Sequence, residues 1–276
     1  MSGEGGRLYR KLSRAEALAD IKNRMLEKDR SLDASAFEEV FDRATLQSVY
    51  ELMRHGVFED FYGVVSAGKE SRIYYARSRD GVELAVKIYL VNNTEFRKTR
   101  MLYVAGDHNF EKPGMSLRKF IDAWARREFR NLEAAFDAGI PVPKPYTVHG
   151  NILVMSFLGS DGLRYPLLRE TKYSKEEYSV TYEKVVDYIA RLYRSAGIIH
   201  SDLSEFNIMA PEPETVYFID LSQAVPLTNS YAEIFLMRDL RNVNRFFSSV
   251  GVETTGEKAI FRELTGKEPP PDLTPI

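Results

Sequence analysis

The sequence predicts an α+β chain with its strands early and its helices late. Three observations carry this. Residues 61–90, FYGVVSAGKESRIYYARSRDGVELAVKIYL, are rich in Val, Tyr and Ile and are punctuated by turn signals at Gly68 and Asp80-Gly81. Residues 116–138 and 175–196 carry helical patterns. The strand block precedes the helix block, which is the order of a two-lobed α+β plan.

Residues 1–13 read as a flexible arm, and residues 14–55 as charged and helix-prone, with Ser13 and Ser31 as N-caps. The texture changes at Phe61. Three strands follow, the first two joined by a glycine-containing turn and the next two by Asp80-Gly81. Residues 92–115 break the pattern with Asn, Gly and Pro. They read as a loop longer than ordinary connections, and so as functional or disordered. The helix over 116–138 is stopped by Gly139 and Pro141. YTVHGNILVMSFLG reads as a hairpin turning at His149-Gly150-Asn151. The second long helix leads into IIHSDLSEFNIM, a short loop and the strand VYFID, and 230–249 is helical again.

Composition narrows the function classes. The chain has 276 residues, 44% hydrophobic and 28% charged, as a globular protein does. It has no cysteine, which excludes disulfides, thiolate metal sites and cysteine nucleophiles. No stretch approaches the ~20 apolar residues that cross a bilayer. The opening MSGEGGRLYRKLSR lacks the apolar core of a secretory signal. The net charge of −2 is not that of a nucleic-acid coat protein, although residues 91–130 hold nine Lys/Arg against five Asp/Glu. Such a patch could steer a polyanion, or be the solvated face of a helix and loop.

Four polar positions fall where the apolar pattern expects a core. In Glu83-Leu84-Ala85-Val86-Lys87-Ile88-Tyr89, alternation puts Leu84, Val86 and Ile88 on one face and Lys87 on the other. A lysine there needs an anion, unless the strand is an edge with one solvated face. Glu128 interrupts the stripe Leu117, Ile121, Trp124, Leu132, Ala135 at helical spacing, and a carboxylate so placed wants a cation such as Lys87. A slightly rotated stripe, with Phe129 inward, fits as well. His200-x-Asp202-x-x-x-x-Asn207, followed by Phe218-Ile219-Asp220, offers three oxygen-bearing side chains on adjacent segments. That is a donor set for a hard cation and phosphate. Asn207 alone would pass as a turn residue. Ser66-Ala67-Gly68-Lys69-Glu70-Ser71 could cradle phosphates with backbone N–H groups, but taken alone reads as a hairpin turn.

A glycine loop, a strand lysine, a helix glutamate, an H-x-D-x-x-x-x-N loop and a strand-end aspartate follow one another in protein kinases. His200 is expected to organise its loop rather than to do chemistry. The segments SAGKES, LAVKIY, WARREFRNLEAA, PVPKP, IIHSDLSEFNIM and VYFIDLSQAV together resemble the RIO family of atypical protein kinases, and most of all its type-1 branch, over about residues 50–240. The type-2 branch carries an N-terminal winged helix, to which no pattern here corresponds.

The resemblance implies a two-lobed kinase-like fold. It would comprise an N-terminal arm and helices over 1–55, a β-rich N-lobe over 56–155 with a flexible loop at 92–115, and a truncated, mainly helical C-lobe over 156–276. It implies an ATP- and Mg²⁺-dependent serine/threonine kinase or ATPase, with Mn²⁺ as a substitute metal. Ser66, Gly68, Lys69 and Ser71 would lie over the phosphates. Lys87 would hold the α- and β-phosphates and pair with Glu128, and Met155 and Phe157 would flank the adenine. Asp202 would be the catalytic aspartate, and Asn207 and Asp220 would hold Mg²⁺. In the family the aspartate matching Asp220 is also proposed to accept the phosphoryl group, giving an aspartyl-phosphate cycle. Family members autophosphorylate on serine and act in small ribosomal subunit maturation. A pre-small-subunit particle, protein and rRNA, is therefore the implied partner, and the cytoplasm the implied location.

The sequence also departs from kinase patterns. Asp220-Leu221-Ser222-Gln223 replaces DFG, no APE follows, and 56 residues remain after Asp220. Nothing there resembles a peptide-substrate platform. Ser156 stands where the family often has an acid, and Ala67 where it has threonine. Two other readings share the motif set: a small-molecule kinase of the aminoglycoside phosphotransferase kind, and a nucleotide-gated ribosome-binding scaffold with little turnover.

Overall fold

The computed structural model describes residues 41–91, 95–107, 109–110 and 114–271. The expected arm and the caps Ser13 and Ser31 lie outside these residues. The chain divides into two compact units. One draws on the described parts of Met1–Thr94, with Ser116–Arg126 and Tyr146–Leu163. The other draws on the described parts of Glu95–Met115, Arg127–Pro145 and Arg164–Ile276.

The first unit opens with helix α1 (Arg43–Arg54), capped by Asp42, whose carboxylate accepts the Thr45 N–H at 2.8 Å. Strands β1 (Asp60–Ala67), β2 (Ser71–Arg77) and β3 (Glu83–Tyr89) follow at the three places the sequence indicates. Helix α3 (Leu117–Asp137) comes after a short helix α2 (Phe96–Arg100) and contributes its first part to this unit. Strands β4 (Pro145–His149) and β5 (Ile152–Ser156) complete a sheet of order β1-β2-β3-β5-β4. β3 is therefore central and pairs antiparallel on both sides, Lys87 lying opposite Ile73 and Leu153. Leu84, Val86 and Ile88 pack in one apolar cluster with Val49 and Leu52 of α1 and with Phe58, Phe61 and Tyr74. The alternation of β3 thus assigns its faces correctly. The edge-strand reading of Lys87 fails because both neighbours are present.

A buried polar network ties α1 to the β4–β5 turn and to the start of α3. Asn151 is fully buried. Its amide donates to the Tyr89 carbonyl at 2.7 Å, and its oxygen accepts Thr45 Oγ1 at 3.2 Å and Arg118 Nη2 at 3.0 Å. Arg118 Nη1 also reaches both oxygens of Asp42, at 2.8 and 2.7 Å. Burial pushes the Asp42 carboxyl up, but the Thr45 bonds and Arg118 outweigh this and hold it below its ordinary value. Gly150, at φ 56, makes the turn possible, since a Cβ there would stand 3.1 Å from Ser48 Oγ.

The second unit holds most of 95–115, where a loop was expected. Helix α2 and the 3₁₀ turn Met101–Val104 bury Phe96, Tyr103 and Val104. Helix α4 (Lys175–Arg191) starts on a capping box, in which Ser174 Oγ accepts the Glu177 N–H and Glu177 accepts the Ser174 N–H. Its last turn widens over Leu192–Ala196 and ends at Gly197. A hairpin of β6 (Ile208–Glu212) and β7 (Thr215–Phe218) follows, then α5 (Ala232–Ser249) and α6 (Glu257–Thr265). α5 buries Phe235, Leu236, Leu240, Val243 and Phe247. The segment 95–115 joins this helix through the Tyr103–Phe235 ring stack, with centroids 5.0 Å apart, and through Asn229 to the Leu102 carbonyl at 3.2 Å. The composition of 92–115 hid an amphipathic run whose apolar residues have a surface to cover.

Removing the Asn151 amide takes a partner from two buried polar groups, the Tyr89 carbonyl and the Thr45 hydroxyl, each loss costing about 1–3 kcal/mol. We expect Asn151→Leu to lower the urea midpoint clearly while leaving the slope of the transition unchanged. An unchanged midpoint would show that the network contributes nothing to stability.

Candidate active site

The catalytic-type loop is built in the second unit from the backbone outward. Asp239, 2% exposed on the apolar face of α5, accepts the N–H of Ser201 at 2.7 Å and of Leu203 at 2.9 Å. Asp202 lies between those two anchors. Arg238, one residue before Asp239, donates to the Ser201 carbonyl and to Tyr103 Oη. His200 is buried, and its Nε2 donates to the Ile219 carbonyl at 3.0 Å, which ties the loop to the end of β7. The Ile219 N–H returns a bond to the Asn207 carbonyl at 3.0 Å. His200 therefore organises the loop.

Asp202 and Asn207 meet directly. Asn207 Nδ2 donates to the Asp202 carbonyl at 2.8 Å and to its Oδ2 at 3.3 Å. Gln223 Nε2 donates to the same Oδ2 at 3.0 Å. Burial pushes the Asp202 carboxyl up to about 6, and the negative charge of Asp220 adds to this. Arg238, Arg100 and Asn207 pull against it. The result is a group ionised at neutral pH yet more basic than an exposed carboxylate, as a general base requires.

Asp220 sits just past β7 with φ 58, a left-handed conformation that a non-glycine residue seldom adopts. Ser201, beside Asp202, has φ 66. Both carboxylates are thus placed by backbone that the surrounding bonds must hold. The turn Leu221–Gln223 after Asp220 is held by α3, where Asn131 Nδ2 donates to the Leu221 carbonyl at 2.9 Å and Arg127 Nη2 to the Ala224 carbonyl at 2.6 Å.

The donor set suits a hard divalent cation. Asn207 spends its Nδ2 on Asp202, and its Oδ1 makes no hydrogen bond among the described residues. An amide oxygen and an aspartate, with solvent completing the shell, match Mg²⁺, which keeps several waters. Among the described residues no cluster of three or more His, Asp or Glu is arranged as a dedicated metal cage.

The remaining predicted positions divide between the units. Glu128 is 1% exposed within α3, flanked on its stripe by fully buried Trp124 and Leu132, and Phe129 is only half-buried. The unrotated stripe is the correct one. In the first unit Lys87 is 3% exposed, its Nζ 5.2 Å from the Tyr89 ring centroid. Ser66, Gly68 and Lys69 are exposed at the β1–β2 turn, with Ser71 half-buried. There the Gly68 N–H donates to the Ser71 carbonyl at 2.9 Å, and a Cβ on Gly68 would stand 3.3 Å from that oxygen. Met155 pairs with Ala85 in the sheet, and the Phe157 N–H donates to the Glu83 carbonyl at 3.1 Å. Sequence reasoning missed Asp239, Gln223, Arg127 and Asn131. For Asp239 the signal was present, because it interrupts the apolar stripe of α5 as Glu128 interrupts that of α3.

Residues 72–260 match the family model for the RIO domain. The chain belongs to the RIO family of atypical protein kinases, in its type-1 branch. The serine/threonine-protein kinase Rio1 of Haloferax volcanii is 41% identical over 239 residues, 86% of this chain and 80% of that protein. The human serine/threonine-protein kinase RIO1 is 32% identical over 267 residues, 92% of this chain. The chain spans about half the length of that human relative. In fold, the RIO domain is similar to the Rio2 kinase of Chaetomium thermophilum solved as an ADP/Mg²⁺-phosphoaspartate complex, with a TM-score of 0.62 and 23% identity over 81% of this chain and 67% of that one. A kinase-like α+β fold is therefore shown.

The anchor of the loop has a pH signature. Burial pushes the Asp239 carboxyl up to about 7, although the Leu203 and Ser201 N–H groups and Arg238 oppose it. The unfolded chain releases that proton near 3.8. The stability this group contributes is therefore present below that value and is lost as pH rises through about 7. In urea unfolding, the stability of the parent relative to Asp239→Asn is expected to fall steadily across this window. A difference independent of pH would mean that Asp239 titrates alike in both states.

Proposed function

We propose that this RIO domain is an ATP- and Mg²⁺-dependent serine/threonine protein kinase with ATPase activity. The observation that carries this reading is the Asp202 carboxylate. It is held on one oxygen by Asn207 and Gln223, made basic by burial, and set beside Asp220 on a loop pinned by Asp239. The curated relatives are named as serine/threonine-protein kinases, which supports it.

In this reading Asp202 takes the proton of an acceptor serine hydroxyl as its oxygen attacks the γ-phosphorus. Lys87 offsets the charge of the α- and β-phosphates, with Glu128 fixing its ammonium. Ser66, Gly68, Lys69 and Ser71 cover the phosphates, and Met155 and Phe157 flank the adenine. Asn207 and Asp220 would hold Mg²⁺, which when bound neutralises phosphate charge. Mn²⁺ would fit the same oxygen donors.

A hydrolytic branch belongs to the proposal. An Asp220 oxygen would attack the γ-phosphorus as the bond to the bridging oxygen of ADP breaks, giving ADP and an acyl phosphate, which water later opens to the free carboxylate and phosphate. The structural neighbour from Chaetomium thermophilum carries a phosphoaspartate, which supports this branch. Action on a pre-small-ribosomal-subunit particle, protein and rRNA, in the cytoplasm follows from the family resemblance alone. No helix among the described residues is long and apolar enough to cross a membrane.

The deciding measurement is incubation with γ-labelled ATP and Mg²⁺, followed by hydroxylamine. Phosphoserine resists hydroxylamine, and an acyl phosphate does not. We expect Asp202→Ala to lose at least 100-fold in phosphoserine formation while still binding ATP. We expect Asp220→Asn to lose metal-dependent nucleotide binding and the hydroxylamine-sensitive label. Parent-like labelling in both variants would remove the site assignment.

A further inference from the structure

The Asp202 carboxylate is held asymmetrically. Oδ2 accepts from Gln223 Nε2 at 3.0 Å and from Asn207 Nδ2 at 3.3 Å, and Oδ1 accepts no hydrogen bond among the described residues. Gln223 is the last residue of the turn after Asp220, so it links the two carboxylate-bearing segments of the site. The turn itself is clamped from α3 by Arg127 to Ala224 at 2.6 Å and by Asn131 to Ala224 and Leu221 at 3.1 and 2.9 Å. The Gln223 side chain thus reaches Asp202 from a base that cannot drift.

We propose that Gln223 is the positioning residue that selects which oxygen of Asp202 acts as the base. By occupying Oδ2 it leaves Oδ1 to take the proton of the acceptor hydroxyl. The inference rests on the kinase reading above and deepens it. In the step concerned, the acceptor oxygen forms a bond to the γ-phosphorus, the bond from that phosphorus to the bridging oxygen of ADP breaks, and the hydroxyl proton passes to Oδ1. A glutamine suits the task chemically. It donates to a carboxylate without bringing a charge that would repel a cation at Asn207 and Asp220, and without a proton that could itself transfer. Asn207 cannot do the same alone, because its shorter bond goes to the Asp202 backbone carbonyl at 2.8 Å.

The test is a kinetic split. Gln223→Met keeps the length of the side chain and removes the donor. It is expected to lower kcat for phosphoserine formation 10- to 100-fold, with the KM for ATP and the affinity for ADP changed less than 2-fold. Gln223→Glu, which sets a second carboxylate against Oδ2, is expected to fall further. ADP binding and the thermal midpoint serve as the folding control. If the Met variant fails that control, the Glu variant and its ADP affinity carry the test. A parent-like kcat in a folded variant overturns the inference and leaves the kinase reading standing, as does a rise in KM with kcat unchanged. A parent protein that labels no serine overturns both.

Discussion

Two backbone N–H groups, those of Ser201 and Leu203, end on one buried carboxylate, that of Asp239. The residue between them is Asp202: the peptide that follows it is fixed through the Leu203 N–H by Asp239, and the peptide that precedes it through the Ser201 carbonyl by Arg238. A carboxylate buried this deeply is tolerable only where donors meet it, and short bonds to backbone N–H groups are among the stronger ones available. The loop and helix α5 therefore depend on each other. Without the loop Asp239 would be an unpaired buried acid, and without Asp239 the loop would lose two of its ties.

That mutual dependence explains how the site tolerates its backbone. Ser201 and Asp220 both occupy left-handed conformations, at φ 66 and φ 58, each costing on the order of 1–3 kcal/mol. Ser201 is held on its N–H by Asp239 and on its carbonyl by Arg238. Asp220 lies between Ile219, whose N–H and carbonyl are bonded to Asn207 and His200, and a turn clamped by Arg127 and Asn131. Strain is stored at Ser201 and Asp220 and offset by the residues on either side of them. His200 serves in that frame, which is why a histidine in an H-x-D motif can be indispensable to geometry without touching a proton in flight.

How much of this could be read from the residues alone differs by element. The strands around Lys87 were legible because alternation and a two-residue turn are local signals. The stripe around Glu128 left two rotations of α3 open, and the burial of Glu128 beside a half-buried Phe129 decides between them. Asp202, Asn207 and Asp220 were legible as a set because oxygen donors at that spacing have few other uses. The segment 95–115 was not, since its burial depends on Phe235 and Asn229, more than a hundred residues away. Gln223 follows the departure from DFG, and nothing in the sequence around it points to a contact with Asp202. A glutamine three residues past an aspartate has no periodicity, and only the fold brings it to Oδ2 of Asp202. Asp239 stood between these cases, a visible flaw in an apolar stripe that was passed over.

The short path from Asp220 to α5 gives the site its character. Residues 221–231 hold one 3₁₀ turn and a two-residue ladder of Val225–Pro226 with Ile198–Ile199 before α5 begins. A segment that short has no room for a long substrate-binding excursion, and its first residues are bonded to α3 rather than to solvent. It can therefore do what a long mobile segment cannot, which is to present a side chain to the catalytic-type loop at a fixed distance. Here that side chain is Gln223, whose amide stands 3.0 Å from Oδ2 of Asp202. In the proposed kinase reading, the carboxylate of Asp202 is oriented before any acceptor arrives, by the packing of α3 and α5 and not by the ordering of a loop.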